Sequence, residues 1–333
     1  MQKSFSILLV FFFIYTSVNS QDFEWMAGFD GFLDNREYFT TENPQTIFGA
    51  RLRFEAGGNL SGVHSLRAGL NYLYEFGYHV DAYKPDLTLY YQYLDGPFRL
   101  NLGAFPRSEM LDYPIALLSD TLDYYRPNIE GVFFSYSWDW GKENVFIDWT
   151  SRQTALAPEQ FIFGFSGRVD WKTLYLTHHF MMGHMAGPGI PVPGHHLRDN
   201  GGFDLNLGTD LSEMLLLDTL LISAGALVSV DRIRSVDDGF RMPAGFIGRF
   251  TAMYKSLGLT GLYYAGKGHT FLFGDPFYRL QRYGRLDIFY APFRTGPVRI
   301  RFDIGLHFAE GQIDNSQQIM ISMILDGTRP FRK

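Results

Sequence analysis

Five of the nine histidines in this 333-residue chain fall between residues 178 and 196: His178, His179, His184, His195 and His196, with Met181, Met182 and Met185 among them. Imidazole beside thioether is a donor set that suits copper. No two of these histidines stand four apart on a helical pattern, and the intervening stretch 187–194 is built of Gly and Pro. No metal and no cofactor is therefore expected. Cysteine is absent, which removes disulfides, thiolate nucleophiles and cysteine ligands. A hydrolase working on membrane lipid needs serine, histidine and an orienting acid or amide on its outer surface. The pattern G-x-S-x-G does not occur, and no His–Ser pair stands out on an apolar stretch. The expectation is that the chain is not an enzyme, with no catalytic residue.

The remaining chemistry lies in charge, and the charges are spaced two apart. In V-R-I-R-F-D-I-G-L-H-F (298–308), Val298, Ile300, Phe302, Ile304, Leu306 and Phe308 alternate with Arg299, Arg301, Asp303, Gly305 and His307. Strict alternation is a β-strand dividing two unlike environments. Phe48 to Glu55 and Leu66 to Glu75 repeat it, with Arg51, Arg53 and Arg67 on the polar face. Sixteen such segments follow one another from Phe23, each near the roughly 9–11 residues that cross a membrane as a tilted strand. They fall at 23–34, 46–57, 64–76, 86–95, 97–107, 129–139, 143–152, 159–170, 172–183, 202–211, 219–231, 243–254, 257–266, 283–292, 297–309 and 317–326. Segments 172–183 and 219–231 fit two registers, and a one-residue slip would exchange their faces.

Connections sort by parity. Turns after even strands are short, as at Asp95-Gly96 and Lys255-Ser256. Those after odd strands are long and polar, at 35–45, 77–85, 107–128, 187–201, 232–242 and 267–282. Short turns on one rim and long loops on the other are the asymmetry of an outer-membrane barrel, whose apolar face meets lipid and whose polar face lines a lumen. The N-terminus agrees. Lys3, the apolar run 7–15 and Val18-Asn19-Ser20 form a signal peptide over 1–20, leaving 21–333 as the barrel. Aromatics reach 17%, and residues such as Trp25, Trp138, Trp171 and Tyr254 stand near strand ends, as interfacial girdles require.

The lumen-facing charges expected to matter are Arg51, Arg53, Arg67, Arg285, Arg299, Arg301 and Asp303. The loop after the fifth strand is too apolar to float in water, carrying Leu111, Ile115, Leu117 and Leu118. It is expected to fold inward and constrict the lumen, presenting Glu109, Asp112, Tyr113, Asp120, Asp123 and Tyr124. An arginine arc facing an acidic loop would set up a transverse field that orients dipolar solutes.

Sixteen strands with an in-folding fifth loop resemble the general bacterial porins. The run Leu102-Gly103-Ala104-Phe105-Pro106-Arg107-Ser108-Glu109, followed by Leu118-Ser119-Asp120, is similar to the matching region of phosphate-selective-type porins. That resemblance implies a porin-like channel, and trimers are usual among such porins. The lysine-rich lumen of the anion-selective members is missing, so anion selectivity is not implied.

The reading is an all-β transmembrane antiparallel barrel of about sixteen strands in the bacterial outer membrane, passing small polar solutes by diffusion. Its expected partners are outer-membrane lipid and small polar solutes, and a homotrimer is what the porin resemblance alone implies. A net charge of −6 argues against nucleic acid. The alternatives are uptake of oligosaccharides or other nutrients along an aromatic track (Tyr113, Tyr124, Tyr125, Phe277, Tyr278, Tyr283), a surface-binding barrel without an open pore, and a membrane-embedded lipid hydrolase.

Overall fold

The structure, a computed structural model, describes residues 21–78, 84–108 and 110–330. The signal peptide predicted at 1–20 and Glu109 lie outside the described residues. Sixteen strands close into one antiparallel barrel. In order they are β1 (Gln21–Glu37), β2 (Gln45–Leu60), β3 (His64–Glu75), β4 (Asp86–Asp95), β5 (Phe98–Pro106), β6 (Asn128–Trp138), β7 (Gly141–Ser151) and β8 (Pro158–Trp171). There follow β9 (Leu174–Pro188), β10 (Arg198–Asp210), β11 (Thr219–Ile233), β12 (Ala244–Tyr254), β13 (Leu257–Gly266), β14 (Arg282–Phe293), β15 (Val298–Ala309) and β16 (Gln312–Pro330). Each strand pairs with its neighbours in sequence, and β16 closes on β1 from Asp22 opposite Pro330 to Glu37 opposite Asn315. This is the fold the alternation predicts.

The alternation also assigns the faces. Phe302 and Ile304 stand exposed on the outside while His307, one step out of phase, is buried. Leu52, Leu102, Phe163, Leu207 and Phe246 repeat the pattern around the wall. An apolar outer surface of this extent belongs in hydrocarbon, where a closed barrel leaves no backbone edge unpaired.

The β9–β10 pair runs further than alternation suggests. β9 continues to Pro188 and β10 begins at Arg198, where Gly183, Gly187, Gly201 and Gly202 supply no hydropathic signal yet the ladder still pairs Arg198 with Met185. The loop-length rule has two exceptions. On the long-loop rim, β15 and β16 are joined by Glu310-Gly311 alone, both at positive φ (51° and 77°), as a tight hairpin turn requires. On the other rim, β10 and β11 are separated by the short helix α1 (Ser212–Leu215).

The loop after β5 does fold inward, and it has a companion. Residues 110–127 pack against 267–281 in the middle of the barrel, burying Met110, Tyr113, Leu117 and Leu118 with Phe271, Phe277 and Tyr278. Ser119 N donates to Phe273 O (2.8 Å) and Asp275 N to Ile115 O (2.9 Å), so the two loops are stitched by backbone. The sequence reads the second loop as long and polar. Its Phe271, Phe273, Phe277 and Tyr278 instead complete an apolar core inside the lumen.

Candidate functional site

The arginines singled out in the sequence face the lumen, but most are neutralised beside their own backbone. Arg53 pairs with Asp30 (3.1 Å), Arg67 with Glu24 (2.6 Å) and Arg285 with Asp287 (2.8 Å). Arg301 pairs with Asp303 (2.6 Å) while its guanidinium lies 4.0 Å from the Phe289 ring centre. Arg51 donates to the carbonyl oxygens of Asp123 (2.7 Å) and Tyr124. Arg299 alone of this set is exposed with no hydrogen bond or ion pair among the described residues. The arc is a series of local pairs rather than a row of free positive charge.

The constriction residues serve mainly to seat the plug. Asp120 meets Arg36 (3.0 Å), the Tyr124 hydroxyl donates to Asp34 (3.2 Å), and the Tyr113 hydroxyl donates to Phe180 O (3.0 Å). Asp112 and Asp123 are exposed. The expected aromatic track is not a track: Phe277, Tyr278 and Tyr283 are buried against one another. Cavities beside the plug include one of about 420 Å³ next to Arg299 and one of about 210 Å³ next to His179 and Asp204.

The His/Met stretch is divided by the pleat of β9. His179 and Met181 point inward, and His178, Met182 and His184 point outward. No group of three or more His, Cys, Asp or Glu side chains placed to hold a metal occurs among the described residues. The outward histidines each meet a carboxylate: His178 Nε2 lies 2.8 Å from Glu143 Oε1, and His184 Nδ1 lies 2.8 Å from Asp199 Oδ1. A further pair, Ser235 Oγ to His196 Nδ1 (2.5 Å), sits exposed on the loops above.

His184 has the most developed surroundings, and strand register builds them. Trp149 on β7 is opposite Phe161 on β8, Phe161 opposite His184 on β9, His184 opposite Asp199 on β10, and Asp199 opposite Arg232 on β11. Five adjacent strands thus carry one outward row, roughly 19 Å long at the usual strand spacing. Its first half is stacked rings: Trp149 on Phe161 (5.0 Å, 21°) and Phe161 on His184 (4.9 Å, 25°). Its second half is polar, with Arg234 Nε reaching the other oxygen of Asp199 (2.6 Å) and Arg232 over the Phe240 ring (5.6 Å). Below the row, toward the short turns, the same outer face is apolar: Phe180 and Leu176 on β9, Leu205 and Leu207 on β10. The row therefore lies at the long-loop edge of the apolar belt, the level at which lipid headgroups begin.

Chemically, a carboxylate on Nδ1 fixes an imidazole with Nε2 free to accept a proton. His184 Nε2 has no hydrogen-bond partner among the described residues. Sequence spacing gives no hint of the pair, because 15 residues and a loop separate its members and only the β9–β10 register joins them.

A family model described as "Lipid A 3'-O-deacylase-type" matches residues 20–322, nearly the whole chain, and the chain belongs to that family. The match corrects the expectation that the chain is not an enzyme. That expectation rested on missing sequence motifs, whereas in a barrel wall an acid–base pair is assembled across strands. No curated protein matches the chain in sequence. Among solved structures it is similar to Pseudomonas aeruginosa OpdK bound to vanillate (TM-score 0.54, 10% identity, covering 92% of this chain and 99% of that one). It is also similar to Pseudomonas aeruginosa OccK8, also called OprE (0.56, 10%, 91% and 98%), and to a loop-deletion form of OmpT from Vibrio cholerae (0.56, 10%, 92% and 100%). These neighbours are bacterial outer-membrane porin barrels, and at this identity the likeness is one of fold.

Proposed function

We propose that this outer-membrane barrel hydrolyses an acyl ester of a phosphorylated glycolipid of the lipid A class, and that it does so on its outer wall at His184. The supporting observation is the row itself: an imidazole held by a carboxylate at the edge of the apolar belt, with rings on one side and arginines on the other. An acyl chain would lie in the membrane along the apolar wall below, and phosphate would meet Arg232. Water activated by His184 Nε2 attacks the ester carbonyl, and the imidazolium that forms is stabilised by Asp199. As the tetrahedral intermediate collapses, the same proton passes to the departing sugar oxygen. One water is consumed, and a fatty acid and a free hydroxyl are produced. In this proposal the segment 1–20 delivers the barrel to the outer membrane.

The test is fatty-acid release from lipid A in mixed micelles by the refolded barrel, followed by mass spectrometry. His184→Gln is expected to slow release by roughly 10²–10⁴, the usual worth of a general base. Absence of release by the unaltered protein, or release untouched by His184→Gln, would sink the proposal.

A second reading, passage of small polar solutes through the lumen, draws support from the 420 Å³ cavity, where exposed charge persists beside the plug. Planar-bilayer conductance separates the two. A plug as packed as this one favours small, rare openings, and steady large conductance would favour the channel.

A further inference from the structure

Among the described residues, the cavity on the Arg299 side of the plug holds one cation and one anion with no hydrogen-bond or ion-pair partner. Four lumen-facing residues form a row across adjacent strands: Arg299 on β15 opposite Ser322 on β16, Ser322 opposite Asp30 on β1, and Asp30 opposite Arg51 on β2. All four line the cavity, as do Gln318 and Asp123. The inner members are spoken for. Asp30 takes Arg53, and Arg51 spends its guanidinium on the backbone carbonyls at Asp123 and Tyr124. Asp120, also in the wall, is held by Arg36.

What remains lies at the two ends. Arg299 is exposed and has no partner among the described residues, and the Asp123 carboxylate is exposed and forms no hydrogen bond or ion pair there. Three strand spacings, about 14 Å, separate the Arg299 and Arg51 backbones. Asp123 sits against Arg51, and a long arginine side chain shortens the gap from the other end. Between the two ends stand the neutral hydrogen-bonding groups Ser322 and Gln318 and two charges already engaged, Asp30 with Arg53 and Arg51 with backbone carbonyls.

We propose that this cavity binds a small dipolar solute of the amino-acid class, its carboxylate on Arg299 and its ammonium on Asp123. A monoanion would satisfy Arg299 and leave Asp123 repelling it, and a monocation would do the reverse. Selectivity for a zwitterion follows from leaving one charge of each sign open in one cavity. The site is separate from the outer-wall row and does not depend on hydrolysis there.

Calorimetric titration of the refolded full-length barrel tests it. L-glutamine is the zwitterionic probe, N-acetyl-L-glutamine its anion-only counterpart and L-glutamine methyl ester its cation-only counterpart. L-glutamine is expected to bind about tenfold tighter than either counterpart, or about 1.4 kcal/mol. Arg299→Gln and Asp123→Asn should each remove that advantage while keeping the folded barrel's mobility on unheated gels. Asp112→Asn, on the same loop but outside the cavity, should leave it intact. No binding of L-glutamine, equal binding of a counterpart, or full affinity in either cavity variant would overturn the proposal.

Discussion

Arg107 and Asp148 form an ion pair buried within the barrel, Nη2 to Oδ2 at 2.5 Å, with the two side chains 1% and 0% exposed. Arg107 is the first residue beyond β5. Its Nε donates to Arg126 O (3.0 Å) and its Nη2 also donates to Asn128 O (3.1 Å). One side chain thus ties together both roots of the plug loop. Asp148 is held from the other side by Glu130 N (3.0 Å). Charges this deep are tolerated because each is met by several partners.

Removing one member should therefore do more than break a contact, because it strands the other charge. Asp148→Ala is expected to cost about 3–5 kcal/mol, as in other buried pairs cut on one side. The loss should show as a lower urea midpoint in detergent micelles. Because Arg107 clamps the plug, the same variant should conduct more in a planar bilayer than the unaltered barrel. Lower stability with conductance unchanged would mean that the plug stays seated without the clamp.

The lumenal loops are in close contact where Gly274 faces Ala116. A Cβ built on Gly274 would lie 2.0 Å from the Ala116 carbonyl oxygen, which is backbone and cannot swing aside. Gly274→Ala should force the loops apart at a cost of about 1–3 kcal/mol, the usual range for overpacking. Faster hydrogen exchange at 115–119 with unchanged exchange in the strands would locate the effect. Uniformly faster exchange would assign it to the whole barrel.

How much of this was legible beforehand depends on which physical signal each feature leaves. Alternation at 298–308 predicts both faces of β15, because lipid and lumen demand opposite side chains at every second residue. The inward fold of 110–127 was legible for the same reason, since Leu117 and Leu118 cannot rest in water. The second plug loop was missed because His269, Gly274, Asp275 and Arg279 dilute its aromatics into an apparently polar stretch. The outer row was missed for a different reason. His184 lies just past a segment that fits two registers, and which residue meets Asp199 depends on cross-strand pairing that no local pattern encodes.

Two titrating groups in the second plug loop should oppose each other. Burial pushes His269, whose Nδ1 lies 2.6 Å from Ser229 Oγ, down from 6.5 to about 4, against the pull of Asp204. Burial pushes Asp275 up from 3.8 to about 6, against Phe277 N, Arg285 and Arg36. Between those limits the unfolded chain protonates His269 and the folded one does not, so acid destabilises. Over the same interval the folded chain protonates Asp275 and the unfolded one does not, so acid stabilises. Each slope is at most about 1.4 kcal/mol per pH unit, and they cancel. Stability should be flat from about pH 4 to 6 as far as these two groups decide it. Asp275→Asn should make it fall with acid and His269→Gln should make it rise, both read from urea midpoints. Equal pH profiles for the two variants would show that the groups do not titrate this way.

Arg232 offers the sharpest test of how substrate meets the outer row. It stands opposite Asp199, and its Nε is buried without a hydrogen-bond partner. Unlike Arg234, it does not hold Asp199, so its loss should leave the His184–Asp199 geometry in place. If it receives a phosphate of the substrate, Arg232→Gln removes a charge-assisted bond worth about 1.5–3 kcal/mol. KM for phosphorylated lipid A should then rise about tenfold or more with kcat nearly unchanged, and substrate stripped of phosphate should lose nothing. Added salt should narrow the difference, because a rim-level charge is screened over about 8–10 Å at ordinary ionic strength. A fall in kcat with KM constant would instead place Arg232 at the reacting carbonyl, and equal losses on both substrates would remove phosphate recognition from its role.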